Sequence, residues 1–196
     1  WKLKILERYD RMVKKYGILR LLRKGLEVED ANFTLLYQLP MASSSQSVKD
    51  NFAKNEFSVT RQIRYNLENK REEIDLVVFV NGLAIATLEL KNQWTGQNAK
   101  VHGIKQYKYD RDIRQPLLNF GRAIVHFAVD TDEVYMCAKL DGSKSFFLPF
   151  NKGHNNGKGN PPNPFGHKSA YLWEEVFTKE SLANIIQHFV RFDGKA

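Results

Sequence analysis

Asp75 stands near the start of the apolar run Ile74–Val80, and Glu89 and Lys91 close the run Leu83–Lys91. Two carboxylates offer hard oxygen donors to a divalent cation, and the main-chain carbonyl of Leu90 can add a third protein oxygen. A cation held there would acidify a water and stabilise the charge that builds on a phosphate under attack. Lys91 shares a strand face with Glu89, where it would orient that water and neutralise developing charge. The chemistry these residues could do is metal-assisted hydrolysis of a phosphodiester.

Glu-x-Lys alone carries little information, because about one copy per 200 residues follows from average usage. Glu68-Asn69-Lys70 matches too, but it lies in a polar turn with no apolar strand beneath it and is set aside. Glu89 and Lys91 end an apolar strand, where uncompensated charge is costly. Strands emerging into solvent also end in charge, so a metal site and ordinary surface charge both stand at this level. Geometry separates them. A plain two-residue turn at Asn81–Gly82 would set Asp75 opposite Leu88, pointing away from Glu89. A shared site needs a one-residue shift, so the sequence predicts a bulge at Gly82 or a kink near Asp75.

The elements that must position these groups follow from periodicity. Leu3, Leu6, Tyr9, Met12 or Val13 and Tyr16 recur at helical spacing, Gly17 interrupts, and Ile18–Leu26 resumes, giving N-terminal helices over 1–26. Residues 42–47 read as a polar loop and Phe57–Tyr65 as an alternating strand. Two β-rich apolar runs around Asn81–Gly82 predict a hairpin lying mid-sheet with both faces covered. A helical stretch follows from Asn98 to Asp112, then a buried strand Ala123–Val129. Glu133–Leu140 and Ser145–Leu148 flank Asp141–Gly142 as a second hairpin. Residues 151–170 begin as a basic Gly/Asn/Pro-rich loop, and Thr178 caps a C-terminal helix over 178–191. This order gives an α/β fold with a mixed central sheet flanked by helices, one domain over 1–196 with its core in 57–129.

In the helical stretch, Lys105, Lys108 and Arg111 fall at helical spacing and could meet DNA phosphates, although a solvated face explains them equally well. Gln106 could position the lysine or a phosphate, or be an ordinary surface residue. His126, inside a buried strand, reads as a satisfied core histidine, and Cys137 as a small core residue.

Composition bounds the rest. Thirty Lys and Arg against 22 Asp and Glu give +8, which favours a polyanionic partner, nucleic acid ahead of an anionic membrane. One cysteine excludes an internal disulfide, no Cys/His cluster offers a zinc site, and a reducing cytosolic setting is the default. No apolar run approaches the roughly 18 residues of a membrane span. The charged first residues are not a signal peptide. Gly153–Gly159 lacks a Ser or Thr after Lys158 and is no P-loop. The chain opens mid-helix without an initiator Met, so it is expected to be one domain of a longer protein.

An aspartate followed by Glu-x-Lys on adjacent strands resembles the motif of PD-(D/E)xK nucleases. Further runs add to it: IDLVVFVNGLAIATLELKNQWTGQ, IKQYKYDRD, GRAIVHFAVDTDEVYM, FFLPFNKGHNNGKGNPPNP and AYLWEEV. Together, from about Phe33 onward, they resemble the N-terminal part of type I restriction endonuclease R subunits. The resemblance implies a restriction-endonuclease-like core and an endonuclease domain joined in its parent subunit to an ATP-dependent DNA translocase. ATP would be used only by that motor. The implied substrate is double-stranded DNA, cut without sequence preference after translocation. The implied partners are methyltransferase and specificity subunits in a prokaryotic cytoplasm. Mg²⁺, with Mn²⁺ as a workable stand-in, would sit between Asp75 and Glu89 with the Leu90 carbonyl beside it, and Lys91 would be the family's lysine. Two departures stand out. Ile74 replaces the usual Pro, and the Gln-x-x-x-Tyr of related nucleases is met here by Gln106 followed four residues on by Asp110, with tyrosines at Tyr107 and Tyr109. The alternative to a nuclease is a non-catalytic module of the same fold, binding DNA or bracing the motor.

Overall fold

The computed structural model describes residues 1–191, and positions 192–196 of the expected 1–196 domain lie outside them. Helix α1, Lys2–Lys24, is two helices joined at Gly17, whose backbone (φ 75, ψ 160) is not helical. Its first half is largely exposed at Trp1, Leu3 and Leu6, while Ile18, Leu19, Leu21 and Leu22 are buried after the break. The helical span is shorter than the expected 1–26. Gly25 closes it with a left-handed φ of 79, and Leu26 already opens a small hairpin of β1 (Leu26–Val28) and β2 (Ala31–Phe33). Residues expected wholly as loop begin a short helix instead, α2 (Gln46–Ala53).

Strands β3 (Phe57–Arg64), β4 (Glu73–Val80), β5 (Leu83–Leu90), β6 (Val125–Val129), β7 (Val134–Cys137) and β8 (Leu148–Pro149) form one sheet in that order. The single parallel neighbour pair is β5–β6, and the chain between them carries wide helical turns at Ala99–Gly103 and Gln106–Asp110. This is the mixed α/β architecture the sequence implies, with a restriction-endonuclease-like core. β4 and β5 sit mid-sheet as their apolar runs require, and mostly exposed β3 forms one edge. The second hairpin is shorter than expected. Its ladder holds only Tyr135–Pro149 and Met136–Leu148, because Ser145 turns inward and binds the Asp141 N–H and Gly142 carbonyl.

Each sheet face has its own core. On one side α1 and the C-terminal helix α3 (Lys179–Asn184, continued by Ile185–Phe189) press Val13, Leu21, Leu22, Leu182 and Ile186 onto Val78, Leu88 and Phe127. Thr178 caps α3 as expected, accepting from the Ser181 N–H. Arg23 donates from Nε to the Ile186 carbonyl at 2.7 Å and from Nη2 to the Val190 carbonyl at 2.7 Å, satisfying groups that a helix end leaves bare. On the other side the crossover covers Val77, Ile74 and Cys137 with Tyr107 and Leu118. Among the described residues no helix is long and apolar enough to cross a membrane.

Candidate active site

The hairpin carrying the two carboxylates does not bulge at Gly82. Val80 pairs with Leu83 across a two-residue turn, with Asn81 (φ 49) and Gly82 (φ 77) both left-handed, as such a turn demands. The required shift lies further along β5. Phe79 faces Ala84 but Val78 faces Ala86, leaving Ile85 as an extra residue. Ile85 and Ala86 consequently both join the core on the side of the C-terminal helix. Continued past Leu76–Leu88, the new register sets Asp75 level with Glu89, on one face of the hairpin.

Backbone pairing is also interrupted at Asp75 itself. The β3–β4 ladder passes from Arg61–Leu76 to Ile63–Ile74, omitting Gln62, which sits opposite Asp75 with a left-handed φ of 54. Ile74 and Val77, three residues apart, both enter the crossover core. Freed from strict alternation, Asp75 reaches toward β5, and its Oδ2 accepts the Leu90 N–H at 2.7 Å. In extended backbone a residue's N–H and C=O point to the same neighbour, so the Leu90 carbonyl faces the Asp75 side as well.

Glu89 has no exposed side-chain surface. Its Oε1 accepts from Arg111 Nε at 2.7 Å, while Oε2 is buried without a partner. Burial pushes the carboxyl up to about 7, against the opposing pull of Arg111. Arg111 is itself only 9% exposed in its side chain and stands over the Tyr65 ring at 6.0 Å. Beneath them Thr87 Oγ1 lies 2.8 Å from both the Tyr107 hydroxyl and His126 Nδ1. Burial holds His126 down to about 3, so the ring is neutral, the satisfied core histidine expected from its strand.

Other expected residues are placed differently. Arg111, expected on a phosphate-facing helix surface with Lys105 and Lys108, turns inward, because the helix ends there in extended backbone (φ −110, ψ 132). Lys105 is exposed and Lys108 half-buried. Gln106 is half-buried and makes no side-chain hydrogen bond among the described residues. The neighbour of half-buried Lys91 is Gly103. A Cβ there would lie 3.6 Å from Lys91 Cγ and only 2.9 Å from Ala128 Cβ. Tyr107, four residues beyond Gly103, supplies the buried hydroxyl. Gly103, four residues before that tyrosine, is a position where even a Cβ would crowd Ala128. Helical periodicity gives no warning of the inward turn of Arg111, which depends on where the helix stops.

The site fits a hard cation. Asp75, the Leu90 carbonyl side and the orphaned Glu89 Oε2 offer oxygen, and no nitrogen or sulfur donor is needed. Among the described residues no three His, Cys, Asp or Glu side chains gather to bind a metal, so two carboxylates would rely on backbone, water or phosphate oxygens to complete a shell.

The family model for the type I restriction enzyme R protein N terminus matches residues 7–145. A Methanocaldococcus jannaschii protein described as "Putative type I restriction enzyme MjaIXP endonuclease subunit" is 28% identical over 169 residues. That match covers 74% of this chain and 15% of the relative. Because that family model matches residues 7–145, well over half of the sequence, the chain belongs to the family of type I restriction enzyme R protein N termini.

Proposed function

We propose that this chain is a Mg²⁺-dependent endonuclease domain that hydrolyses phosphodiester bonds of double-stranded DNA. In this reading it cuts at non-specific sites after ATP-driven translocation by motor domains of its parent subunit, alongside methyltransferase and specificity subunits. The observation that carries the reading is the meeting of Asp75 and Glu89 at one end of β4 and β5, with one carboxylate oxygen buried and unpartnered.

Asp75, Glu89 and the Leu90 carbonyl would hold the ion. Bound there, Mg²⁺ supplies Lewis-acid stabilisation of phosphate charge and acidifies water at neutral pH. Arg111 keeps one oxygen of Glu89 engaged and leaves the other without a partner. Lys91, packed against Gly103, projects from the same strand face as Glu89 and is the positive group available to orient the attacking water. Lys105, outside, is available for backbone phosphate.

A second reading, a non-catalytic module bracing the motor or holding DNA, is favoured by the Arg111 ion pair, which compensates Glu89 without a cation. Mn²⁺ binding beside a short duplex separates the two. Binding lost in both Asp75→Ala and Glu89→Ala, with cleavage also lost in Lys91→Ala, supports the nuclease. Binding that survives both carboxylate variants supports the brace.

A further inference from the structure

Directly after Lys91 the chain makes a small helical turn, Gln93–Thr95, and presents Trp94 with 92% of its surface exposed. The backbone of the turn is fixed by its own hydrogen bonds. Asn92 Oδ1 accepts the Trp94 N–H at 2.9 Å, Thr95 Oγ1 donates to the Asn92 carbonyl at 2.7 Å, and Gly96 closes the turn left-handed. Gln93 Nε2 donates to Asp132 at 3.0 Å, tying the turn to the β6–β7 connection. That connection is gripped a second time by Asn160, which donates to the Asp132 carbonyl at 2.8 Å and joins the basic Gly/Asn/Pro loop to the same rim. A cleft beyond it is lined by Lys100 and Lys158, with Glu133 and the glycines Gly153 and Gly159 beside them.

Trp94 lies three positions beyond Lys91, so their Cα atoms are within about 11 Å. The segment that follows the ring is basic: from Lys91 to Lys108 it carries Lys91, Lys100, Lys105 and Lys108 and no acidic residue, while Arg111 beyond it is paired with Glu89 and Asp132 meets the turn through Gln93. A flat, exposed aromatic ring beside a basic segment is an arrangement that takes a nucleobase face without regard to sequence.

We propose that Trp94 stacks on an unpaired or displaced base of the DNA strand offered to the Asp75–Glu89–Lys91 site, with the Lys100–Lys158 cleft following its backbone. This rests on the nuclease reading for its site, and its test does not depend on cleavage. The sequence holds three tryptophans. The Trp1→Phe, Trp173→Phe double variant of the 196-residue chain therefore reports Trp94 alone. We expect its emission to be quenched as a gapped duplex saturates the protein in Ca²⁺. Trp94→Ala should weaken that binding about fivefold or more, with Trp94→Phe recovering most of it and Trp173→Ala changing nothing. Unchanged emission and unchanged affinity overturn the proposal. So does a ring blind to DNA that becomes shielded only in the full-length subunit, which would make it a docking residue for another domain. Quenching together with Mn²⁺ binding that survives both Asp75→Ala and Glu89→Ala overturns the nuclease reading and keeps this one; Mn²⁺ binding lost in both variants, without quenching, does the reverse.

Discussion

At the scale of single residues, Glu89 sets the behaviour of the site. Its carboxyl, ordinarily near 4.5, is held at about 7 by burial. The folded chain therefore keeps a proton that the unfolded chain releases between those values, and stability falls as pH rises across that window, levelling out above it. Urea midpoints measured from pH 4 to 9 should show this fall and should show it flattened in Glu89→Gln, which keeps the Arg111 hydrogen bond without the charge. Cation binding needs the ionised carboxylate, so affinity for Mn²⁺ should climb through the same window. A metal affinity independent of pH there would mean that Glu89 is not a ligand. Arg111 is a counter-charge in this scheme, and its 2.7 Å bond to a buried oxygen makes it inseparable from the glutamate it faces.

At the scale of elements, packing between the crossover and the sheet positions Lys91. Gly103 lies so close to Ala128 that an added methyl would stand 2.9 Å from its Cβ. Gly103→Ala should destabilise the fold by about 1–3 kcal/mol, read from urea melts, and lower cleavage further than the stability loss explains by shifting Lys91. The hairpin shows how far the sequence alone reaches. Two apolar runs around Asn81–Gly82 identify β4 and β5, and the need for both carboxylates on one face demands a one-residue shift. Where that shift falls is not legible locally. It lands at Ile85, an ordinary apolar residue inside the strand, where Ile85 and Ala86 are both buried on the side of the C-terminal helix. The interruption at Gln62 and the inward turn of Arg111 are likewise products of tertiary fit. His126 and Thr178 were readable because each role follows from strand context or capping chemistry alone.

At the scale of the whole molecule, +8 of formal charge is spread between α1, the crossover and the loop that begins at residue 151. Affinity for a duplex should therefore fall linearly on a log–log plot against salt. Lys105→Ala should weaken binding to all sequences alike and reduce that slope by about one, measured by fluorescence anisotropy across a salt series. An unaltered slope would remove Lys105 from the DNA path. The first and last described helices are meanwhile joined by the two bonds from Arg23 to the Ile186 and Val190 carbonyls. Tension applied at the carboxyl end of the described chain meets Arg23 and α1 before it meets any strand. Load is thus diverted to the helical side of the sheet, and the carboxylate pair on the opposite face is mechanically shielded from pulling on the chain.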